Sequence, residues 1–177
     1  IVVDGEICQI LEFQHVKPGK GGAFVRTRLR RMKSGSVIEK TFRSGEKFDD
    51  VFIERVKYQF LFRNQDELTL MDLDSYEQVQ VPAEQLGDQA RFLKEDTEVQ
   101  ALVGNGATLG WELPQTVVLE VTQTDPGVRG DTVSGGATKP ATLESGAVIQ
   151  VPFHINEGDL LKIDTRSASY IERVSKA

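Results

Sequence analysis

The feature that most constrains the fold is a series of short alternating segments, separated by Gly, Pro, Asp and Asn, that recurs along the whole chain. Alternation with a period of two is typical of half-buried β-strands, whereas helical periodicity is scarce here. The sequence therefore predicts an all-β protein. Beyond an N-terminal hairpin, it predicts strands at residues 36–42, 54–63, 67–72, 97–103, 108–112, 116–124, 148–154 and 160–164.

One short helix is predicted at residues 83–93, where Leu86, Ala90 and Leu93 share a face, although Gly87 weakens it. Small barrels need about five strands and about 60 residues, so the number of strands predicts three modules. We place them at residues 1–47, 48–112 and 113–177.

The N-terminal hairpin is predicted from residues 9–16 and 23–30. In its second strand Val25, Thr27 and Leu29 alternate with basic residues, as in a half-buried strand. The outer face is therefore basic, with Arg26, Arg28 and Arg30. The turn between the two strands projects as a tip, Lys17-Pro18-Gly19-Lys20-Gly21-Gly22.

Charge is distributed unevenly. Residues 1–47 hold ten basic and five acidic residues, a balance of +5, whereas the remainder holds eleven basic and twenty-two acidic residues, a balance of −11. Only the first module is suited to a polyanion, because salt confines each field to roughly 8–10 Å. The simple alternative is that these cations solvate an exposed strand face.

The composition is that of an ordinary globular protein, with 39% hydrophobic and 27% charged residues. No apolar run approaches the roughly 20 residues of a membrane-crossing helix, and we expect a cytoplasmic location without a membrane partner. Cys8, the only cysteine, lies in an apolar stretch and is expected in the core. The chain begins at Ile1 without a methionine, so we expect a missing N-terminal segment.

The motifs of common enzymes are absent. Gly19-Lys20 is followed by Gly21 rather than by the Ser or Thr of a phosphate-binding loop. His15 and His154 are far apart, and each is predicted in a strand, so no metal site is indicated. No Gly-x-Ser-x-Gly element is present. We therefore predict no catalytic residues, no bound metal and no cofactor.

The tip is the most informative segment. Glycine allows close approach of the backbone, and a lysine supplies a positive charge on a flexible stem. Such a loop suits contact with RNA in a narrow space. From the residues alone, however, an exposed turn that only needs Gly and Pro for its geometry explains the pattern better.

Four segments resemble the elongation factor P family, whose tip reads Lys-Pro-Gly-Lys-Gly-x-Ala-Phe followed by Arg. They occur in order, two in the first and two in the third of the predicted modules, and they extend over nearly the whole chain, from residue 15 to residue 173. They are His15-Val16-Lys17-Pro18-Gly19-Lys20-Gly21-Gly22-Ala23-Phe24-Val25-Arg26, Val37-Ile38-Glu39-Lys40-Thr41-Phe42, Thr124-Asp125-Pro126-Gly127-Val128-Arg129-Gly130-Asp131-Thr132, and Ile163-Asp164-Thr165-Arg166 followed by Tyr170 and Arg173. Three modules indicate the bacterial branch, because the related hypusine-containing factors have two domains.

The resemblance implies a KOW or SH3-like barrel followed by two OB-fold barrels, in an L-shaped arrangement similar to a tRNA. It implies a monomeric, non-catalytic factor that binds the 70S ribosome between the P and E sites and relieves stalls at consecutive prolines. Its partners would be ribosomal RNA and the P-site peptidyl-tRNA, whose CCA end Lys20 would approach. Lys20 would be open to β-lysylation, or to another group, by an enzyme similar to lysyl-tRNA synthetase.

The resemblance also implies further contacts. Lys17, Arg26, Arg28 and Arg30 would bind RNA around the tip. Gly130, Asp131 and Thr132 would approach the E-site codon, or else form a plain turn. Tyr170 and Arg173 would contact the small subunit, or else pack the barrel.

Two other classes remain open at this point. A basic barrel fused to two OB modules could bind RNA generally, because OB folds are widely reused. The aromatic fraction of 7% argues against it, since single-strand binders stack bases on aromatic rings. An enzyme would be favoured by activity without ribosomes.

Overall fold

The structure is a computed structural model that describes residues 1–126 and 137–177. It contains three antiparallel sheets, each curled into a half barrel, so the predicted all-β fold is confirmed. The first sheet has the order β1-β2-β3-β4, with β1 Val2–Val3, β2 Glu6–Val16, β3 Phe24–Arg31 and β4 Val37–Arg43.

The second and third sheets share one strand order. The second runs β7-β6-β5-β8-β9 and the third β12-β11-β10-β13-β14, so in each the first strand lies between the second and the fourth. This is the arrangement of a five-stranded OB barrel. The strands are β5 Glu54–Asn64, β6 Glu67–Asp72, β7 Gln78–Pro82, β8 Glu98–Gly104, β9 Ala107–Glu112, β10 Thr116–Thr124, β11 Thr138–Leu143, β12 Val148–Pro152, β13 Leu160–Asp164 and β14 Ser169–Ser175.

The predicted helix is a 3₁₀ segment, Ala83–Phe92, rather than an α-helix. It is interrupted at Gly87, whose φ of 69° and ψ of −161° are non-helical. The predicted apolar face is nevertheless confirmed, because Leu86, Ala90 and Leu93 are buried. Glycine weakens a helix and permits this conformation, so one turn on each side is all that forms.

Each sheet has its own hydrophobic core. Val3, Cys8, Leu29 and Phe42 form the core of the first sheet, so the buried position predicted for Cys8 is confirmed. The core of the third sheet includes Phe92, which is fully buried.

Contacts between residues divide the chain into two compact units. One consists of residues 1–56 and 101–110, and the other of residues 57–100 and 111–177. The module boundaries predicted near residues 47 and 112 stay a prediction. Within the described ranges, no helix has both the length and the apolarity that crossing a membrane requires.

The predicted strands differ from the structure at several points, and β7, β11 and β14 were not predicted. His154 lies in a turn rather than in a strand, because β12 ends at Pro152. β11 was not predicted, since Pro140 interrupts it. Proline is tolerated there because β10 ends opposite Ala141, so Pro140 pairs only with Gln150 of β12 and no second strand requires its missing N–H.

Candidate functional site

The tip of the first hairpin projects beyond the paired strands. The last pair of β2 and β3 is Val16 with Phe24. At the base of the tip, Ser44 donates its backbone N–H to the Ala23 carbonyl at 3.0 Å. The Ser44 hydroxyl also lies 3.1 Å from Nε2 of His15. Ser44, directly after β4, therefore fixes the base, while residues 17–22 make no hydrogen bond to the part of the chain that the structure describes.

Lys20 lies in open space at this tip. It is exposed, and no ion pair or hydrogen bond of its side chain occurs within residues 1–126 and 137–177. A Cβ added to Gly19, Gly21 or Gly22 would meet no atom within 4 Å. Gly21 has a φ of +108°, which side-chain-bearing residues rarely adopt. The tip thus presents a primary amine without steric cover.

The face predicted to be basic alternates as expected. Arg26, Arg28 and Arg30 are exposed, whereas Thr27 and Leu29 are buried. The prediction missed the acidic residues that share this face. Arg28 lies opposite Glu12 on β2 and Glu39 on β4, and its Nη1 lies 3.0 Å from Oε1 of Glu12. The central cation of the face is therefore already paired.

The pair of Glu12 and Arg28 can be predicted from the sequence only if the register of the hairpin is known. Closing the hairpin at Val16 and Phe24 places Glu12 opposite Arg28, whereas a second strand starting at residue 23 places Glu12 opposite Thr27. A shift of one residue moves a side chain to the other face of a sheet. The predicted strand bounds specified no register, and a difference of one residue at the start of β3 is enough to separate Glu12 from Arg28.

The implied codon-side residues Gly130, Asp131 and Thr132 lie outside the described residues. Their role stays a prediction.

Arg173 takes part in a closely packed polar cluster in the third sheet. Its Nη1 lies 3.2 Å from Oδ2 of Asp159, and the Asp159 side chain is only 2% exposed. Burial alone would raise the pKa of Asp159, but the backbone N–H groups of Asn156 and Ala177 and the Arg173 guanidinium outweigh it, so the pKa is lowered. Tyr170 packs against the hydrophobic core of the same sheet. Both side chains therefore make contacts within their own sheet, and the implied contact with the small subunit stays a prediction.

Metal binding gains no support from side-chain geometry. Across the described residues, no three or more His, Cys, Asp and Glu side chains form a group that could hold an ion.

Three family models match the chain in order. Residues 1–48 match "Elongation factor P (EF-P) KOW-like domain", residues 53–111 match "Elongation factor P (EF-P) OB domain", and residues 117–173 match "Elongation factor P, C-terminal".

Curated relatives match over almost the full length. Elongation factor P from Pelotomaculum thermopropionicum is 55% identical over 174 residues, covering 98% of this chain and 94% of the relative. The factor from Natranaerobius thermophilus is also 55% identical, covering 98% and 92%. Among solved structures, a eukaryotic translation initiation factor 5A from Methanococcus jannaschii is 26% identical, covers 64% of this chain and 84% of that chain, and has a TM-score of 0.48.

The KOW-like and OB domains, together with the projecting lysine tip, define a translation factor associated with the ribosome. More specifically, the chain belongs to the elongation factor P family.

Proposed function

We propose that this chain binds the 70S ribosome between the P and E sites and relieves stalls at consecutive prolines by presenting Lys20 to the CCA end of the P-site tRNA. The observation that carries the proposal is the exposed, glycine-flanked Lys20 at the end of a hairpin whose base is fixed. A rigid base with a slender end delivers a charge into a narrow channel.

We propose that the factor promotes peptide-bond formation by orienting the reactants. Proline is a poor donor and acceptor in peptide-bond formation because its ring fixes φ and restricts the backbone. A cation placed beside the tRNA end stabilises a productive arrangement of the reactants, which is the kind of assistance that correct orientation supplies. The ribosome performs the chemistry, so this chain acts without catalytic residues and without a metal.

Lys20 is also the proposed acceptor of a covalent group. Its amine has no partner in the part of the chain that the structure describes, and the neighbouring glycines leave room for an enzyme to approach. β-Lysylation by an enzyme similar to lysyl-tRNA synthetase would extend the reach of the positive charge. The intact mass of the protein from its native host would reveal the added group.

The remaining contacts are proposed with different support. Lys17 and Arg26 lie at or beside the tip, so they are well placed for ribosomal RNA or tRNA. Gly130, Asp131 and Thr132 are proposed to approach the E-site codon on the resemblance alone. A small-subunit contact through Tyr170 and Arg173 has less support, because both side chains pack within their own sheet. The factor is proposed to act as a monomer in the cytoplasm.

The test is a translation reaction that lacks this factor and pauses on a Pro-Pro-Pro template. Added wild-type protein should shorten the pause, and it should leave a matched template without consecutive prolines unchanged. Equal acceleration of both templates would contradict the proposal. Binding to free RNA as tightly as to ribosomes would favour the general RNA adaptor instead.

The Lys20→Arg variant refines this test. Arginine retains the positive charge but cannot accept a lysine-specific group. If modification is required, the variant should bind ribosomes and fail to shorten the pause. Full activity of Lys20→Arg would show that the charge alone suffices.

A further inference from the structure

The outer face of the first sheet changes character with distance from the tip. Residues directly opposite one another in neighbouring strands share a face, so they form rows across β2, β3 and β4. The row at the tip is Val16–Phe24–Arg43, the next is Gln14–Arg26–Thr41, and the third is Glu12–Arg28–Glu39. The first two rows hold two guanidinium groups and no carboxylate. The third row holds one guanidinium between two carboxylates.

Arg43 was not among the residues singled out from the sequence. Its side chain is exposed, and within residues 1–126 and 137–177 its guanidinium has no ion pair. The nearby carboxylate of Glu46 accepts the backbone N–H of Arg43 at 3.2 Å. Glu46 is therefore engaged by the turn that follows β4.

Arg26 is held in place without being neutralised. Its guanidinium carbon lies 5.6 Å from the centroid of the Phe24 ring, in a cation–π contact. This contact restrains the side chain before any ligand binds, which reduces the entropy lost on binding. Arg28 differs from Arg26, because binding a phosphate would require Arg28 to break or share its ion pair with Glu12.

We propose that Arg43 and Arg26 form a phosphate-binding pair directly behind the tip and grip the backbone of the RNA that Lys20 approaches. Diagonal neighbours on adjacent β-strands lie about 7–8 Å apart. The guanidinium groups of Arg43 and Arg26 can therefore bind successive phosphates of one RNA strand. Guanidinium binds phosphate through two parallel hydrogen bonds. Arg28 makes no phosphate contact.

The acidic residues set the limit of this site. A shallow groove of about 430 Å³ covers the second and third rows, and its lining includes both Glu12 and Glu39. Carboxylates repel phosphate, so the RNA backbone lies at the end of the groove nearest the tip. The inference rests on the proposed function, because the RNA in question is the one bound beside the tip.

The test measures ribosome binding by the full chain over a salt series of about 50 to 200 mM. Each phosphate contact contributes about 0.7–0.9 to the slope of log affinity against log salt. Arg43→Gln and Arg26→Gln should each reduce the slope by about that amount and weaken binding about tenfold. The double variant Glu12→Gln with Arg28→Gln is the matched control on the same face, because it removes both members of the ion pair at constant net charge, and it should leave the slope unchanged. Arg43→Lys should restore the slope.

Two results would overturn the pair. One is an Arg43→Gln variant that binds like wild type. The other is weaker binding with an unchanged slope, which would indicate an uncharged contact with a ribosomal protein.

The proposed function and the proposed phosphate-binding pair can be refuted independently of each other. Wild type that binds ribosomes with the expected slope but never shortens a Pro-Pro-Pro pause would refute the function and leave the pair intact. Wild type that shortens the pause while Arg43→Gln binds normally would refute the pair alone.

Discussion

The hairpin tip around Lys20 and the β14 region around Arg173 place cations in opposite environments. Lys20 is exposed, a Cβ added to any of the three nearest glycines would meet no atom within 4 Å, and its side chain has no partner in the described ranges. Arg173 is 22% exposed and paired with a carboxylate that is 2% exposed. Cations of the first kind are available to a partner molecule, whereas those of the second kind hold the fold together. The resemblance implies a ribosome contact for both residues, whereas their surroundings in the structure differ.

Asp159→Ala should have the largest effect on stability. Removing the carboxylate leaves the backbone N–H groups of Asn156 and Ala177 without their acceptor, and it leaves the Arg173 guanidinium only its 3.4 Å hydrogen bond to the His154 carbonyl. Breaking a buried pair in this way costs about 3 kcal/mol of unfolding free energy. Urea unfolding followed by the fluorescence of Trp111, the single tryptophan, measures it. The exposed Asp74→Ala is the control, and equal stability of the two variants would contradict the structural role.

Arg173→Ala should lower the unfolding free energy by about 2 kcal/mol, because a charged hydrogen bond to a buried carboxylate is lost. Any loss of pause relief should therefore accompany a loss of stability. A variant that unfolds like wild type yet fails on the ribosome would support a contact between Arg173 and the small subunit. It would contradict a purely structural role for Arg173.

The same cluster predicts a pH dependence. Because the folded-state pKa of Asp159 is lowered, its contribution is fully present above the unfolded pKa of about 3.9 and disappears as pH falls through the folded value. Wild-type stability should fall on acidification in that range. Asp159→Asn should be less stable at neutral pH and should show a shallower acid dependence, visible in urea titrations between about pH 2 and pH 5.

A smaller effect is expected within the tip. Gly21→Ala should destabilise by about 1 kcal/mol, because a φ of +108° strains any residue with a Cβ. Gly22→Ala is the matched variant, since it has the same open surroundings and no positive φ, and it should change stability by less than about 0.5 kcal/mol. Indistinguishable melting curves for the two variants would show that the tip readily adopts another backbone conformation.

The sequence predicts strands well where alternation is uninterrupted. β6, β10 and β13 have their predicted bounds, because turn residues flank each one. β14 was missed, since two register shifts against β13 break its period of two. Bulges depend on tertiary pairing, which local patterns do not contain.

The candidate site, like the strands, is predictable from the sequence only where its features are local. Lys20 and its glycines can be identified because the tip is a local feature. The Glu12–Arg28 pair depends on the closing pair of the hairpin, and the Asp159–Arg173 pair joins residues on separate elements. Such contacts follow from the fold rather than from spacing.

We propose that Lys20 acts on a partner molecule and does not stabilise the fold. The most direct measurement compares Lys20→Ala with wild type for pause relief on a Pro-Pro-Pro template and for unfolding free energy. Lys33→Ala, an exposed lysine beyond the opposite end of β3, is the control. We predict that Lys20→Ala changes stability by less than about 0.5 kcal/mol and abolishes pause relief, while Lys33→Ala retains both. Full pause relief by Lys20→Ala at equal protein concentration would contradict the account.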